Sequence, residues 1–472
     1  MRFKASCVGI IIVLFVLMSN ACKKVKPLSV GGIITFSLDT LKFDTVFTAA
    51  GSFTNYLEIY NPQDQEVVLT SVRLNGGSNS YFHLNVDGFP GNNIPNLKIA
   101  AHDSIYVFAT VNIDPNNTLT PFVVTDSLIA TLNDKEFVVP FTAYGQNAHY
   151  IIGDSMSVNT TWLTDKPYVV IHNCVVGPNV SLTIPADCKV YMHQDARFVI
   201  YGGLFVDPTK TDSVVFQGDR LDRVNFNYRG YPGEWGGIWI VEGGVGMLNH
   251  TVLKNCGGST VYYNVAPQAA ALEVDSLATL TLDHCIIENS LGFGIYSWNG
   301  TLTATNCLVQ TTGGEALAIA EGGTDSLTNC TFANYGSTLV AHQDAPTAEI
   351  LNYLIQPPPN PPNYAPLNAV IRNCIVYGSL DSEIICGAQP NAPARLLMDH
   401  CLLKMGGVRE SFVQFNYCIF NQNPLFKDTV NANFHLTSGS PTISNGLPSV
   451  ITDLDGRIRG ATNDIGCYQY HP

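Results

Sequence analysis

Apolar and polar residues alternate along most of this chain, and from residue 248 onward the alternation settles into a recurring six-residue phrase. The phrase is an apolar residue, any residue, Asn or His, Cys, any residue and a second apolar residue. It reads Leu282-Asp283-His284-Cys285-Ile286-Ile287, Ala304-Thr305-Asn306-Cys307-Leu308-Val309 and Leu327-Thr328-Asn329-Cys330-Thr331-Phe332. It returns from Ile371, Met398 and Phe415, the last with Tyr417 at the third place, and an earlier copy from Leu248 has Thr251 instead of Cys. Cys285 to Cys307 is 22 residues, Cys307 to Cys330 is 23, and Cys330 to Cys374 is 44, or twice 22. A fixed period in this range means stacked units, each burying its apolar face against its neighbours. Asn and His tolerate positive φ, so they turn a corner, and the flanking apolar residues point inward with strand alternation. One period holds about three short strands and three turns, which predicts a right-handed parallel β-helix with coils about 4.8 Å apart. The Cys column is then read as small buried hydrophobes. Its spacing lacks the paired ligands of a metal site, and in-register neighbours are poorly aimed for disulfides.

Residues 31–148 alternate differently. They contain no Cys, and Ile105, Val107, Ala109, Val111 and Ile113 line one face of a strand. Turn clusters such as Asn75-Gly76-Gly77-Ser78, Pro90-Gly91-Asn92-Asn93 and Asp114-Pro115-Asn116-Asn117 separate short strands. That spacing predicts an antiparallel sandwich. The run from Gly51-Ser52 through Leu57, Asn61-Pro62, Phe82, Leu84, Val111 and Asp114-Pro115 to Val139 and Gly145 resembles an immunoglobulin-like domain of the abnormal-spindle/Hydin type. The resemblance implies a spacer or binding module rather than an enzyme.

Beyond it, Val169 and Ile171, Leu182 and Ile184, Val190 and Met192, Phe198 and Ile200, Leu204 and Val206, and Val214 and Phe216 are expected as inward pairs of the first coils. The stretch Leu182-Thr183-Ile184-Pro185 to Val190-Tyr191-Met192 resembles the opening coils of bacterial β-helix lipoproteins, with a pectate-lyase-like fold. The tail, with Asp453-Leu454-Asp455-Gly456-Arg457 and Asp464-Ile465-Gly466-Cys467-Tyr468-Gln469-Tyr470, resembles the C-terminal segment of secreted β-helix proteins. It lacks the further ligands and distal Glu of a calcium loop. It is therefore expected to cap the last coil, with Asp453 or Asp464 paired to Arg459. The organisation is signal peptide 1–21, tether 22–30, sandwich 31–148, β-helix 150–425 and cap 426–472.

Composition narrows the compartment. Charged residues are 13% of the chain, about half the usual share, and the formal net charge is −14. No Lys/Arg-rich run lies beyond the N-terminus, which excludes nucleic acid as a partner. Arg2 and Lys4 precede an apolar stretch from Val8 to Met18, too short for a comfortable membrane span, followed by Ser19-Asn20-Ala21-Cys22. This resembles a bacterial lipobox, which implies cleavage before Cys22 and lipid on that residue. No Asp follows Cys22, so the resemblance implies the outer membrane of a Bacteroidetes-like envelope, on either face. The membrane, reached through the lipid, is thus one expected partner.

Candidate chemistry is sparse. Two insertions break the rhythm, residues 219–237 and 341–367, and loops on a rigid scaffold commonly carry function. In the first, Arg220, Arg223, Tyr228, Tyr231 and Trp235 gather charge and flat rings, and Trp298, two residues after Tyr296, ends a later coil. Rings stack on sugar faces and Arg holds acidic sugars, so these six are the candidate ligand residues and glycan the expected ligand. Trp239, between Ile238 and Ile240, is open to the alternative of simple packing. No catalytic residue, metal site or cofactor is assigned. Glu242, Glu273, Asp275, Glu288, Glu315 and Glu321 occupy no common place in the copies of the phrase, and polygalacturonase motifs are absent. The expectation is a non-catalytic binding or structural envelope protein. A polysaccharide lyase or hydrolase, and an adhesin or assembly partner for surface proteins, are the rivals. Nine Asp-Ser/Thr-apolar triplets resemble the Bacteroidetes O-glycosylation sequon and also read as turns feeding strands.

Overall fold

A computed structural model describes residues 27–48, 50–116, 118–207, 213–221, 230–262, 267–355, 361–407 and 409–472. The chain is all-β and forms two compact units that divide between Asn147 and Ala148.

The first unit is a sandwich of two five-stranded sheets. One contains Asn55–Tyr60, Ser104–Val111 and Phe82–Val86; the other contains Lys135–Gln146, Phe122–Leu132 and Val67–Leu74. Pairing is antiparallel except where Lys135–Gln146 runs parallel to Leu41–Phe47. Ile105, Val107, Ala109 and Val111 face the core, as their alternation predicts, and the rings of Phe43, Phe82 and Phe141 meet at its centre.

The second unit is a parallel β-helix. Its described residues build three long parallel sheets, of eleven, nine and ten strands, visited in turn by each coil. The first sheet runs from His149–Ile152 to Ile419–Phe420, the second from Ser155–Met156 to Ile384–Gly387, and the third from Thr160–Thr161 to Val413–Asn416. The phrase spans the corner from third to first sheet. His250, His284, Asn306, Asn329, Asn373, His400 and Tyr417 all stand there with φ between 40° and 52°. Cys285, Cys307, Cys330, Cys374 and Cys401 follow as buried free thiols inside the helix, and Cys418 is half-buried.

Three expectations are revised. In the opening coil the inward residues are Tyr168 and Val170, which pair with Val190 and Met192, so Val169 and Ile171 lie on the other face. The 44 residues from Cys330 to Cys374 make one coil, since Thr331 pairs directly with Ile375. The second insertion is not continuous: Ala348–Leu351 inside it is a regular strand of the second sheet, with enlarged corners before and after. The Asp triplets also divide. Asp39, Asp103 and Asp154 precede strands, whereas Asp44, Asp126 and Asp325 lie within them.

The tail does not rest on an unpaired last coil. It runs along the side of the helix, across the corners of four coils. Asn306 Nδ2 donates to Thr452 O (3.0 Å), Asn329 Nδ2 to Asp464 O and Gly466 O (3.3 Å each), and Asn373 Nδ2 to Leu447 O (2.8 Å). Thr452 Oγ1 reaches His284 Nε2 at 3.3 Å. The expected pairing of Arg459 with Asp453 or Asp464 is absent. Arg459 donates instead to the carbonyls of Gly466 and Cys467 and to Asn306 Oδ1 (2.8 Å). Asp453 and Asp464 are buried and accept backbone N–H groups, from Arg457 and Gln469 and from Ser444 and Tyr470. These backbone donors already satisfy the carboxylate oxygens, and the guanidinium bridges strap and coils.

Candidate functional site

Strands of the second sheet send alternate residues inward and outward. Ile238 and Ile240, Leu272 and Val274, Ile295, Leu317 and Ile319, and Ile350 belong to the β-helix core. The residues between them therefore face outward, and pairing sets them in one column: Trp239 beside Glu273, Glu273 beside Tyr296, Tyr296 beside Ala318, Ala318 beside Glu349. Two places further along each strand, Asp275, Trp298 and Ala320 form a second column. This outer face thus carries a row of rings interleaved with carboxyl groups.

The face is built by its underlying contacts. Arg197, two residues before the Val199 that pairs with Trp239, is fully buried on the other side of the first column. It donates from Nε to Thr260 Oγ1 (2.8 Å), from Nη2 to Gln268 O (3.0 Å) and from Nη1 to Glu273 Oε2 (3.3 Å). Gln268 N–H reaches the same Glu273 oxygen at 3.0 Å. Trp239 Nε1 donates to Asp275 Oδ2 (2.9 Å) and Trp298 Nε1 to Glu321 Oε2 (2.6 Å). Close packing requires small backbone at one point. A Cβ on Gly237, at φ 104°, would lie 2.1 Å from Ala270 O.

Burial dominates the electrostatics. It pushes the Asp275 carboxyl up to about 6, with Glu242 adding to the shift and the Trp239 N–H opposing it. It raises Glu273 despite the Gln268 amide and Arg197, and it raises Glu315 and Glu349. The Tyr296 phenol is pushed up to about 12, first by burial and then by Glu273, Glu321, Asp275 and Glu349, which all act on it. Tyr296 is 7% exposed, and its hydroxyl has no hydrogen-bond partner among the described residues. Among those residues no group of three His, Cys, Asp or Glu is arranged to hold a metal ion.

The sequence-predicted site residues fare unevenly. Trp235 is unavailable to a ligand. It is fully buried, its Nε1 donates to Lys254 O at 2.8 Å, and its ring packs on Phe216 inside the helix. The reason is that the chain is already re-entering the coil at Gly236-Gly237, so the ring falls inward. Arg220 and Tyr231 are exposed at the two described ends of the first insertion, and Trp298 is half-buried beside Glu321. Arg223, Tyr228 and Cys22 lie outside the described residues. Trp239 packs against Val199 and Tyr262 on the outer face. Of the carboxyls that looked scattered, Glu273 stands beside Tyr296 and Asp275 beside Trp298, and with Glu321 and Glu349 they raise the Tyr296 phenol. A sequence signal for them exists in the triplets Ile238-Trp239-Ile240, Leu272-Glu273-Val274, Ile295-Tyr296-Ser297 and Ala348-Glu349-Ile350, which share one coil position.

No family model matches the chain, and no curated protein matches it. Among solved structures, it is similar over a short stretch to a family 123 glycoside hydrolase from Clostridium perfringens, reported in connection with glycolipid glycan hydrolysis. Identity is 10%, the TM-score is 0.18, and the match covers 24% of this chain and 26% of that chain. An overlap of that size carries no argument about fold or activity.

Proposed function

We propose that this is a lipid-anchored outer-membrane protein whose β-helix binds glycan along the outer face of its second sheet. The observation that carries the binding reading is the register of the buried Trp239, Glu273 and Tyr296 with Asp275 and Trp298 in the adjacent column; the half-buried Trp298, Glu321 and Glu349 are the members of the face that reach solvent. Sugar rings stack on aromatic faces while carboxyl groups accept from their hydroxyls, and a rigid parallel sheet repeats such contacts along a chain. A second reading, hydrolysis at the same face, is favoured by the Asp275 carboxyl at about 6 and the raised Glu273 carboxyl. A carboxyl that holds its proton near neutral pH is what a general acid requires.

The test is a glycan array read in parallel with reducing-end and unsaturated-uronate assays. Trp298→Ala is expected to weaken binding, and unchanged binding overturns the site. Product formation abolished by Asp275→Asn moves the protein to the hydrolase reading; binding without product keeps it a binder. The anchoring part is tested by labelling cells with radioactive palmitate, where Cys22→Ala is expected to lose both label and membrane association.

A further inference from the structure

We infer that the ligand of this outer face is a glycan bearing free amino groups, bound through its ammonium groups by the carboxyls around Tyr296 and by the neighbouring indole rings. The inference rests on the glycan reading of the face and narrows it to one class of sugar.

The first observation is the balance of charge. Between Lys254 and Arg372 the chain has neither Lys nor Arg, yet this stretch supplies the Glu273, Tyr296, Ala318 and Glu349 coils of the face. Arg197, the cation beneath it, is fully buried and already paired with Glu273. His342, the neighbour of Glu315, is buried and paired with Glu383 at 2.9 Å. The carboxyls of Glu321 and Glu349 are half-buried, and Glu349 makes no ion pair or hydrogen bond among the described residues. Among the described residues Glu321 and Glu349 thus have no Lys or Arg paired with them, and Arg197 answers Glu273 alone.

The second observation is Tyr296. It is more than nine-tenths buried, its hydroxyl has no hydrogen-bond partner among the described residues, and four carboxyls act on it. An ammonium group has three N–H donors and no acceptor. It satisfies a phenol oxygen and two carboxylates together, and an adjacent indole face attracts it further. A uronate would instead set a like charge beside Glu321 and Glu349, which costs affinity. This disfavours the acidic sugar expected from Arg220 and Arg223.

The test uses the full mature chain and calorimetric titration with three matched oligosaccharide series: glucosamine oligomers, the same oligomers N-acetylated, and oligogalacturonates. Glucosamine oligomers are expected to bind at least about tenfold tighter than the acetylated series, with affinity falling as salt rises. Glu349→Gln and Glu321→Gln are expected to shrink that preference while leaving the melting temperature unchanged. Equal binding of the first two series overturns the inference and leaves the glycan reading standing, as does tightest binding of oligogalacturonate. A wild-type chain that binds none of the three, and no other glycan on an array, overturns both.

Discussion

The seven corners of the phrase show how strongly one backbone angle selects residue type. Each holds a residue at φ 40–52°, where a side chain ordinarily costs about 1 kcal/mol or more and Asn is best tolerated. Six corners are Asn or His; Tyr417, 82% exposed, is the exception. Tyr417→Asn is therefore expected to raise stability by up to about 1 kcal/mol in urea unfolding, even though the ring contact with His400 (4.9 Å) is lost. A second residue carries the opposite kind of tension. Asp325 points into the core in register with Leu302 and Ala369, is 2% exposed, and neither carboxyl oxygen has a hydrogen-bond partner among the described residues. Burial holds its pKa well above the ordinary value. The folded state thus retains a proton that the unfolded chain releases, so this group's contribution falls as pH rises from about 4. Asp325→Asn is expected to stabilise the chain, by about 1–3 kcal/mol at pH 8 and much less at pH 4, in thermal melts at the two values.

At the scale of elements, the regular parts were legible and the exceptions were not. The corner phrase announced three-sided coils because each copy contains its own turn chemistry. Trp239, Tyr296 and Trp298 were visible only as separate rings, and their alignment with the carboxyls stayed hidden because the residues of the face are spaced unevenly. Trp239 to Glu273 is 34 residues, Glu273 to Tyr296 is 23, and Ala318 to Glu349 is 31. Enlarged corners absorb the difference, so only backbone pairing brings the column into line. The same enlargement concealed the strand Ala348–Leu351, and local aromatic density pointed to Trp235 although its neighbours Gly236 and Gly237 draw it into the core. The tail was recognisable as a closing element, but its lateral course depends on contacts with corners 74 to 168 residues away, which no local pattern encodes. Arg459→Ala would leave Asn306 Oδ1 and the carbonyls of Gly466 and Cys467 without their donor. It is expected to cost about 3 kcal/mol or more. Hydrogen exchange should then accelerate in residues 443–470 and in the corners at Asn306 and Asn329, with the sandwich unaffected.

At the scale of the molecule, the chain carries two separate cores, one centred on Phe43, Phe82 and Phe141 and the other filling the β-helix. A fragment of residues 27–147 is expected to melt cooperatively alone in calorimetry; absence of a transition would show that it depends on the rest of the chain. The strap gives the β-helix a further property. In a plain solenoid each repeat senses only the ones above and below, so an end can fray without disturbing the middle. Here the last thirty or so residues tie His284, Asn306, Asn329 and Asn373 to one common segment. The coils between them are coupled at a distance, and a one-dimensional array becomes a closed circuit. Such a circuit is completed only when the C-terminus has been delivered. During synthesis these coils therefore remain provisional until residues 447–466 are in place, and then become firm together.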